Sequence, residues 1–555
     1  MVEERKQADH GANIYSAFEQ AARRYPEQVA LKADGGRGRS YTYRDVVTAV
    51  GKLSKVLFHD KFAASREIGL LSENRPEWGI AYLGILAAGR TVVPIDANLK
   101  SEEIAFIIRD ARLRLVFASR RSEALLSEMN IDIDIISLEE DSPHSWRNLS
   151  ETPAPPAEYA INETAVLIYT SGTTGAPKAV ELTHRNILAN MEGIAGSLQF
   201  DENDTFLSVL PLHHTFESTC GFLTPLFSGC TIVYARSLKS KELLEDLRFN
   251  GATLMCGVPL LFEKMYGSLR RKIASASFGK RVLFHTLYTL SSLGWLFGRR
   301  WGKALFHGLR DKAGLGSIRM FVSGSAALPP VIARFYHLLG CDLVQGYGMT
   351  ECSPVISVVR PDDIQFGSVG PPLNNVEVKI AGADPETGVG EIIVKGDSIT
   401  PGYRNNAEQT AELIVDGWLH TGDLGKLEHN HLWITGRKKN LIVSAAGKNI
   451  YPEELEEKLM ESDCILEAVV FGRPKQNRQG EQVCALLVPD MEQIATILSE
   501  PSDRADQEKI RQLLSAEIEQ VNGRIAGYKR IVSFDFQLEE LEKTSTKKVK
   551  RFLYK

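Results

Sequence analysis

The chain has 555 residues, 43% hydrophobic and 24% charged, which is the balance of a soluble globular protein too long for one simple core. A formal net charge of -5 gives no basic footprint for nucleic acid, and seven cysteines without a CxxC pair speak against a disulfide framework and a zinc site. The opening MVEERKQADH holds no apolar signal region, so a reducing cytoplasm is the expected compartment.

Ile14, Phe18, Ala21 and Tyr25 recur at helical spacing and predict an amphipathic helix. Residues 68–71 and 91–95 read as buried strands around the helical run 77–88, a βαβ rhythm that predicts a parallel α/β layer. The proline-rich connector 150–158 ends that region. Beyond it lie a strand-length apolar run at 165–169, a Gly/Ser/Thr loop, and a helix from about Thr183. Further α/β alternation leads to runs 320–322 and 343–345, each closed by a glycine-rich turn.

After Gly370 the pattern changes. Residues 376–380 and 391–395 predict an antiparallel hairpin, and charge then clusters at 436–440. The remainder has strands at 468–471 and 483–488 and a helix carrying Ile510, Leu513, Leu514, Ile518 and Val521. Two domains are expected, 1–436 and a small α+β domain, 437–555.

One stretch breaks the acidic balance. Residues 268–316 hold ten Lys or Arg against one acid, Asp311, and 282–298 carry no formal charge. Seventeen residues are at the short limit for a span, and a single crossing would part motifs that must share one compartment. An interfacial basic, aromatic helix and a buried helical hairpin both fit, and periodicity does not separate them.

The strongest local signal is Tyr169-Thr-Ser-Gly-Thr-Thr-Gly-Ala-Pro-Lys178, after a buried strand. Its glycines let backbone approach an anion. Thr170, Ser171, Thr173 and Thr174 offer hydroxyls, and Lys178 adds a positive charge. It is not a Walker A loop, since the lysine follows Pro177 and no Ser or Thr follows the lysine. The pairs His213-His214 and His429/His431 have no carboxylate or cysteine at ligand spacing, so zinc is not expected there, and both members of the second pair read as solvated turn residues. No GxSxG elbow supports a serine hydrolase.

The loop resembles the phosphate-binding signature of the adenylate-forming superfamily, and further signatures follow in that superfamily's order. Ser323-Gly-Ser-Ala-Ala-Leu-Pro329 is similar to its adenine-lining segment, and Gln345-Gly-Tyr-Gly-Met-Thr-Glu351 to its second nucleotide motif. Asp416-Gly-Trp-Leu-His-Thr-Gly-Asp423 with Gly436-Arg437 resembles the ribose-binding pair, and residues 543–551 the C-terminal lysine motif. The resemblance runs from about Ile14 to the C-terminus. It implies an α/β fold: a large multi-subdomain N-terminal domain of parallel layers plus a small β-barrel-like region, with a small α+β C-terminal lid.

It also implies the reaction, in which ATP, Mg²⁺ and a fatty acid give an acyl-adenylate that passes to coenzyme A. A carboxylate is a weak nucleophile repelled by triphosphate, so cations must hold the reactants and stabilise the transition state. The resemblance assigns ATP contacts to Thr170, Ser171, Gly172, Thr173, Thr174, Gly175 and Lys178, and to Gly324, Ser325, Ala326, Gly346, Tyr347 and Gly348. Thr350 would bind the α-phosphate, Glu351 would hold Mg²⁺, and Asp423 and Arg437 would hold the ribose. Lys548 would contact both the carboxylate and the α-phosphate, and His214 is a candidate gate of the acyl tunnel.

Three positions depart from the common pattern: Glu542 for proline, Lys547 for glycine, and Ala179 for the glycine after the loop lysine. The uninterrupted stretch 416–440 and the basic, apolar segment 268–316 resemble long-chain fatty acyl-CoA synthetases. The alternative is an acyl-AMP ligase or acyl-ACP synthetase that loads a carrier protein. Peripheral membrane contact through 268–316 is expected, and nucleic acid is not.

Overall fold

The computed structural model describes residues 13–62, 64–149, 153–157, 159–170, 177–444, 448–474, 480–498, 506–543 and 549–554. It divides into two compact units, Met1–Glu377 with Val394–Leu419, and Val378–Ile393 with His420–Lys555.

The first unit contains two mainly parallel sheets. One has eight strands, in spatial order Val355–Val358, Asp342–Gly348, Met320–Ser323, Leu254–Gly257, Thr205–Ser208, Thr231–Tyr234, Val29–Lys32 and Ser40–Thr42. Only its two outermost strands run antiparallel to their neighbours. The other has seven, in order Gly402–Tyr403, Lys178–Thr183, Thr164–Thr170, Thr91–Ile95, Glu67–Leu71, Leu115–Ala118 and Asp134–Ser137. The five from Thr164–Thr170 onward are parallel.

The expected βαβ unit is present as Glu67–Leu71, helix Pro76–Ala87 and Thr91–Ile95. Both strands are buried at every residue, which is why they read as unbroken apolar runs. Apart from Glu77 in its first turn the helix is apolar on every side, and it is likewise buried throughout, with proline at its start. Trp78 and Tyr82 stack at 5.2 Å, and Phe222 meets both edge-on. Gly79 makes this approach possible, because a Cβ there would lie 2.7 Å from the Phe222 ring.

The second unit has its own core. Strands Ile465–Pro474 and Glu481–Pro489 are antiparallel, and Ile531–Phe536 adds a parallel third. Leu455 and Leu459 from helix Pro452–Leu459, and Ile510, Leu514 and Ile518 from helix Gln507–Gly523, pack with Val470, Val483 and Leu487. Strands Val376–Ala381 and Gly390–Gly396 occupy the positions of the predicted hairpin. The architecture is therefore α/β, with large sheets in the N-terminal part and a smaller α+β C-terminal part.

Two expectations change, and one open choice closes. The Gly/Ser/Thr loop was expected between a strand and a helix, but a second strand, Lys178–Thr183, precedes helix His184–Ser197. This strand reads as a helix lead-in because Thr183 closes it with a capping box: its hydroxyl accepts from Asn186 N, and the Asn186 side chain accepts from Thr183 N. His431, expected in a solvated turn, is buried at the start of strand His431–Arg437, while His429 and Asn430 form the turn with positive φ. Of the two readings left open for the uncharged segment 282–298, the buried hairpin drops out, since the segment lies mainly on one exposed helix, Phe278–Leu296.

Candidate active site

The two strands that bracket the phosphate loop are paired, with Thr170 facing Lys178 across the ladder. Ser171, Gly172, Thr173, Thr174 and Gly175 lie outside the described residues. The far edge of Lys178–Thr183 pairs with Gly402–Tyr403, so that Tyr403 faces Val180. This pairing puts the Lys178 ammonium 5.1 Å from the centre of the Tyr403 ring.

Tyr403 also reaches the second motif. Its hydroxyl donates to Glu351 Oε1 at 2.7 Å, and Thr400 N donates to the Glu351 carbonyl at 2.8 Å. Burial, and then the Glu351 charge beside it, push the Tyr403 phenol far above its ordinary value, so it stays a donor. Glu351 sits in the short turn Thr350–Cys352 and is buried. Lys178, Tyr403 and Glu351 thus form one chain of contacts across three segments distant in sequence.

Thr350 is placed beside Thr215, whose hydroxyl lies 3.4 Å from its own. Thr215 follows His214, and the His213 and His214 rings lie 4.2 Å apart. Burial lowers His213 to about 4, so it is neutral near pH 7, with Nε2 3.4 Å from Asp96. Among the described residues no three His, Cys, Asp or Glu side chains cluster as a metal site. All seven cysteines are buried and unbridged.

The adenine-side segments lie at the ends of two neighbouring strands, the first just after Met320–Ser323 and the second within the last residues of Asp342–Gly348. Gly324 N donates to Gly257 O at 3.2 Å, and a Cβ on Gly324 would meet the Phe216 ring at 2.8 Å. Ser325 has φ of 73°, a left-handed conformation uncommon outside glycine, and Ala326 follows it. Gln345 ties the segments together: its Oε1 accepts from Leu328 N and its Nε2 donates to Ser368 O at 2.6 Å. Gly346, Tyr347 and Gly348, expected in a glycine-rich turn, instead continue the strand, because Val355–Val358 pairs along them with Val358 and Ser357 opposite Gly346 and Tyr347. Gly348 has no room for a side chain, since a Cβ would lie 1.9 Å from Pro354 O.

Asp423 and Arg437 lie in the second unit, opposite each other in the hairpin of strands Trp418–Glu428 and His431–Arg437. Arg437 Nε is 2.9 Å from Asp423 Oδ1; the carboxylate is buried and the guanidinium half exposed. Next to them, Glu391 is held below its ordinary value against the effect of burial by contacts with Lys438 and His420.

Lys548 and Lys547 lie outside the described residues. Their flanks are fixed: Lys543 bridges Val549, Lys550 N donates to Glu542 O at 2.8 Å, and Arg551 pairs with Glu456 and donates to Val470 O.

Residues 18–404 match the family model for AMP-binding enzymes, and residues 439–552 match that for the AMP-binding enzyme C-terminal domain. The chain belongs to the AMP-binding enzyme family. A peroxisomal long chain acyl-CoA synthetase 6 of Arabidopsis thaliana is 30% identical over 83% of this chain and 71% of its own length. The long-chain-fatty-acid–CoA ligase FadD15 of Mycobacterium bovis is 30% identical over 88% of this chain and 86% of its own. Among solved structures, an anthranilate CoA ligase in complex with anthranoyl-AMP superposes with a TM-score of 0.77 at 22% identity, covering 98% of this chain and 96% of its own. ATP-bound MatB from Rhodopseudomonas palustris gives 0.76 at 22% identity, covering 98% of each chain. At these identities the structures establish the fold.

Sequence reasoning missed Tyr403. It lies in Pro401-Gly402-Tyr403-Arg404, which has no periodicity, and only its pairing with a strand over 200 residues earlier gives it a place beside Lys178. Arg404, next to it, is held by Glu67 and donates its own N–H to Ala179 O.

Proposed function

We propose that this enzyme joins a long-chain fatty acid to coenzyme A through an acyl-adenylate. In the first step a carboxylate oxygen bonds to the α-phosphorus of ATP and pyrophosphate leaves. In the second the coenzyme A sulfur bonds to the acyl carbon and AMP leaves. Support comes from the plant and mycobacterial relatives, whose names specify long-chain acids, and from the chemistry of the site. The observation that carries the reading is the Lys178, Tyr403 and Glu351 chain, which sets a cation and a buried carboxylate at the two nucleotide motifs.

Glu351 fits magnesium, which binds through one or two carboxylates plus substrate phosphates and would neutralise phosphate charge there. Lys178 and the hydroxyls of 170–174 would hold phosphate oxygens, and Thr350 the α-phosphate. Tyr347, at the end of strand Asp342–Gly348, would stack on adenine beside the loop at 324–326. The Asp423 carboxylate would accept from the ribose hydroxyls while Arg437 steadies it. Lys548 would draw the fatty carboxylate and the α-phosphate together, and His214 would gate the acyl tunnel. The C-terminal residues 437–555 would pivot near Lys439 between the two steps.

Incubation with palmitate, ATP, Mg²⁺ and either coenzyme A or a holo-carrier protein tests this. Palmitoyl-CoA, AMP and pyrophosphate are expected. A loaded carrier without thioester to coenzyme A would replace this reading with the carrier-loading one, and absence of pyrophosphate would reject both. Acids from C6 to C20 then give the chain length.

A further inference from the structure

Helix Phe278–Leu296 is apolar on its outer face as well as on its inner one. Towards the protein it turns Ser291, whose Oγ donates to Leu338 O at 2.7 Å, and Gly294, where a Cβ would lie 2.7 Å from the Trp301 ring. Phe284, Tyr288 and Trp295 complete this inner face against Phe306, Phe335 and His337. The opposite face carries Phe278, Val282, Thr286, Thr289, Leu293 and Leu296, spaced by three or four residues, with Leu283, Leu290 and Phe297 beside them. Phe278 is 75%, Leu296 73% and Phe297 78% exposed. Burying a leucine is worth about 1.5–3 kcal/mol, so a row of them left in water marks a surface that is covered in use.

The ends of the helix say what covers it. Arg270, Arg271, Lys272, Lys280 and Arg281 gather at its start and Arg299 at its finish, all exposed. Of the basic groups there, Arg300 pairs with Asp342 at 3.0 Å and Arg270 donates to the Tyr266 hydroxyl at 3.3 Å. The partner must therefore be apolar in the middle and negative at both margins, over the ~28 Å that 19 residues of helix span. A second copy of this chain fits poorly, because it would bring a second set of the same cations against the first. Nor does the helix cross a bilayer: among the described residues none is long and apolar enough.

We propose that the face of helix Phe278–Leu296, with the cations at its ends, docks in the plane of an anionic lipid bilayer. The leucines and phenylalanines enter the acyl boundary while Lys280, Arg281 and Arg299 meet lipid phosphates. None of the residues assigned to nucleotide belongs to this surface, so the binding does not depend on the acyl-CoA reading.

The test is cosedimentation of the full chain, without nucleotide, with vesicles of phosphatidylcholine alone or with one-third phosphatidylglycerol. Binding should require the anionic lipid and weaken in high salt. Brominated lipid should quench tryptophan fluorescence, which needs no variant. Lys280→Glu with Arg281→Glu and Arg299→Glu should lower the partition coefficient at least about tenfold. Leu290→Ser with Leu293→Ser and Leu296→Ser should do the same, and since all six side chains are exposed both variants should keep the wild-type melting curve. Failure of the wild type to bind anionic vesicles, or equal binding by wild type and both variants, overturns the proposal. Self-association in sedimentation equilibrium without lipid, abolished by the leucine variant, would assign the face to a second copy instead.

Discussion

The Tyr403 hydroxyl donates a 2.7 Å hydrogen bond to Glu351 Oε1 across 52 residues of chain. Burial and the carboxylate's charge keep the phenol protonated, so the bond fixes one oxygen of Glu351 and leaves the other to be aimed. Lys178 lies over the same ring, so one tyrosine registers a cation and an anion at once.

Tyr403→Phe keeps the ring under Lys178 and removes only that bond. A hydrogen bond to a charged group is worth about 1.5–3 kcal/mol, so kcat/KM for adenylation should fall by at least about tenfold. The loss should track Mg²⁺ concentration in a pyrophosphate-release assay. Glu351→Gln should also be slow, and the double variant should be less impaired than the two losses combined. Additive losses would mean that Tyr403 acts on something other than Glu351.

The lysine loop makes a second case. If Lys548 supplies charge where the carboxylate attacks phosphorus, Lys548→Ala should abolish pyrophosphate release. Thioester formation from supplied acyl-AMP should survive, because no phosphorus is attacked in that step. Lys547→Ala should leave adenylation within about threefold. The opposite pattern would move the catalytic role one residue back. Arg551 closes this segment on Glu456 and Val470, so Arg551→Ala should slow adenylation without touching nucleotide directly.

What the sequence made legible was whatever depends on neighbours in the chain. The buried strands at 67–71 and 91–95 and the helix between them follow from unbroken apolar runs, and the motif at 323–329 leaves the end of strand Met320–Ser323 as the loop its glycine suggests. Features set by distant pairing stayed hidden. Lys178–Thr183 reads as a helix lead-in until the strand at Gly402–Tyr403 is found along its edge. The helix at 278–296 carries apolar residues on every side, and which face turns inward is decided by Leu338 and Trp301, which its own residues do not announce.

Glu217 offers a prediction in pH. It lies in the π-helical segment Phe216–Leu223, fully buried, with one oxygen accepting from Ser208 Oγ at 2.5 Å. Burial raises its pKa from 4.5 to about 8, more than the hydrogen bonds from Ser208 and Val209 lower it. The folded state then binds a proton that the unfolded chain releases above pH 4.5. Stability from this group is present below that value and falls as pH rises to about 8, by an amount on the order of a few kcal/mol. Glu217→Gln should flatten the slope, leaving the variant more stable than wild type at pH 9 in urea unfolding. A parallel pH profile for both proteins would mean that Glu217 is charged when folded.

The last prediction concerns the turn Lys438–Asn440, which directly follows strand His431–Arg437 and at which the C-terminal family model begins. If Lys548 serves the first step and coenzyme A must later reach the same acyl carbon, the lysine has to withdraw, and a pivot near Lys439 would permit it. Proline at 439 would fix φ near −65° and disfavour the helical conformation that Lys438 adopts in this turn. Lys439→Pro should therefore hold one arrangement. Adenylation should persist while thioester formation falls at least about tenfold, or ~1.4 kcal/mol in the barrier. Lys439→Ala, which leaves the backbone free, should keep both steps and so separate backbone restriction from loss of the charge. Equal loss of both steps in the proline variant would indicate misfolding around Glu391 and Lys438, which a lowered melting temperature would reveal. Full retention of both steps would place the pivot elsewhere in the chain.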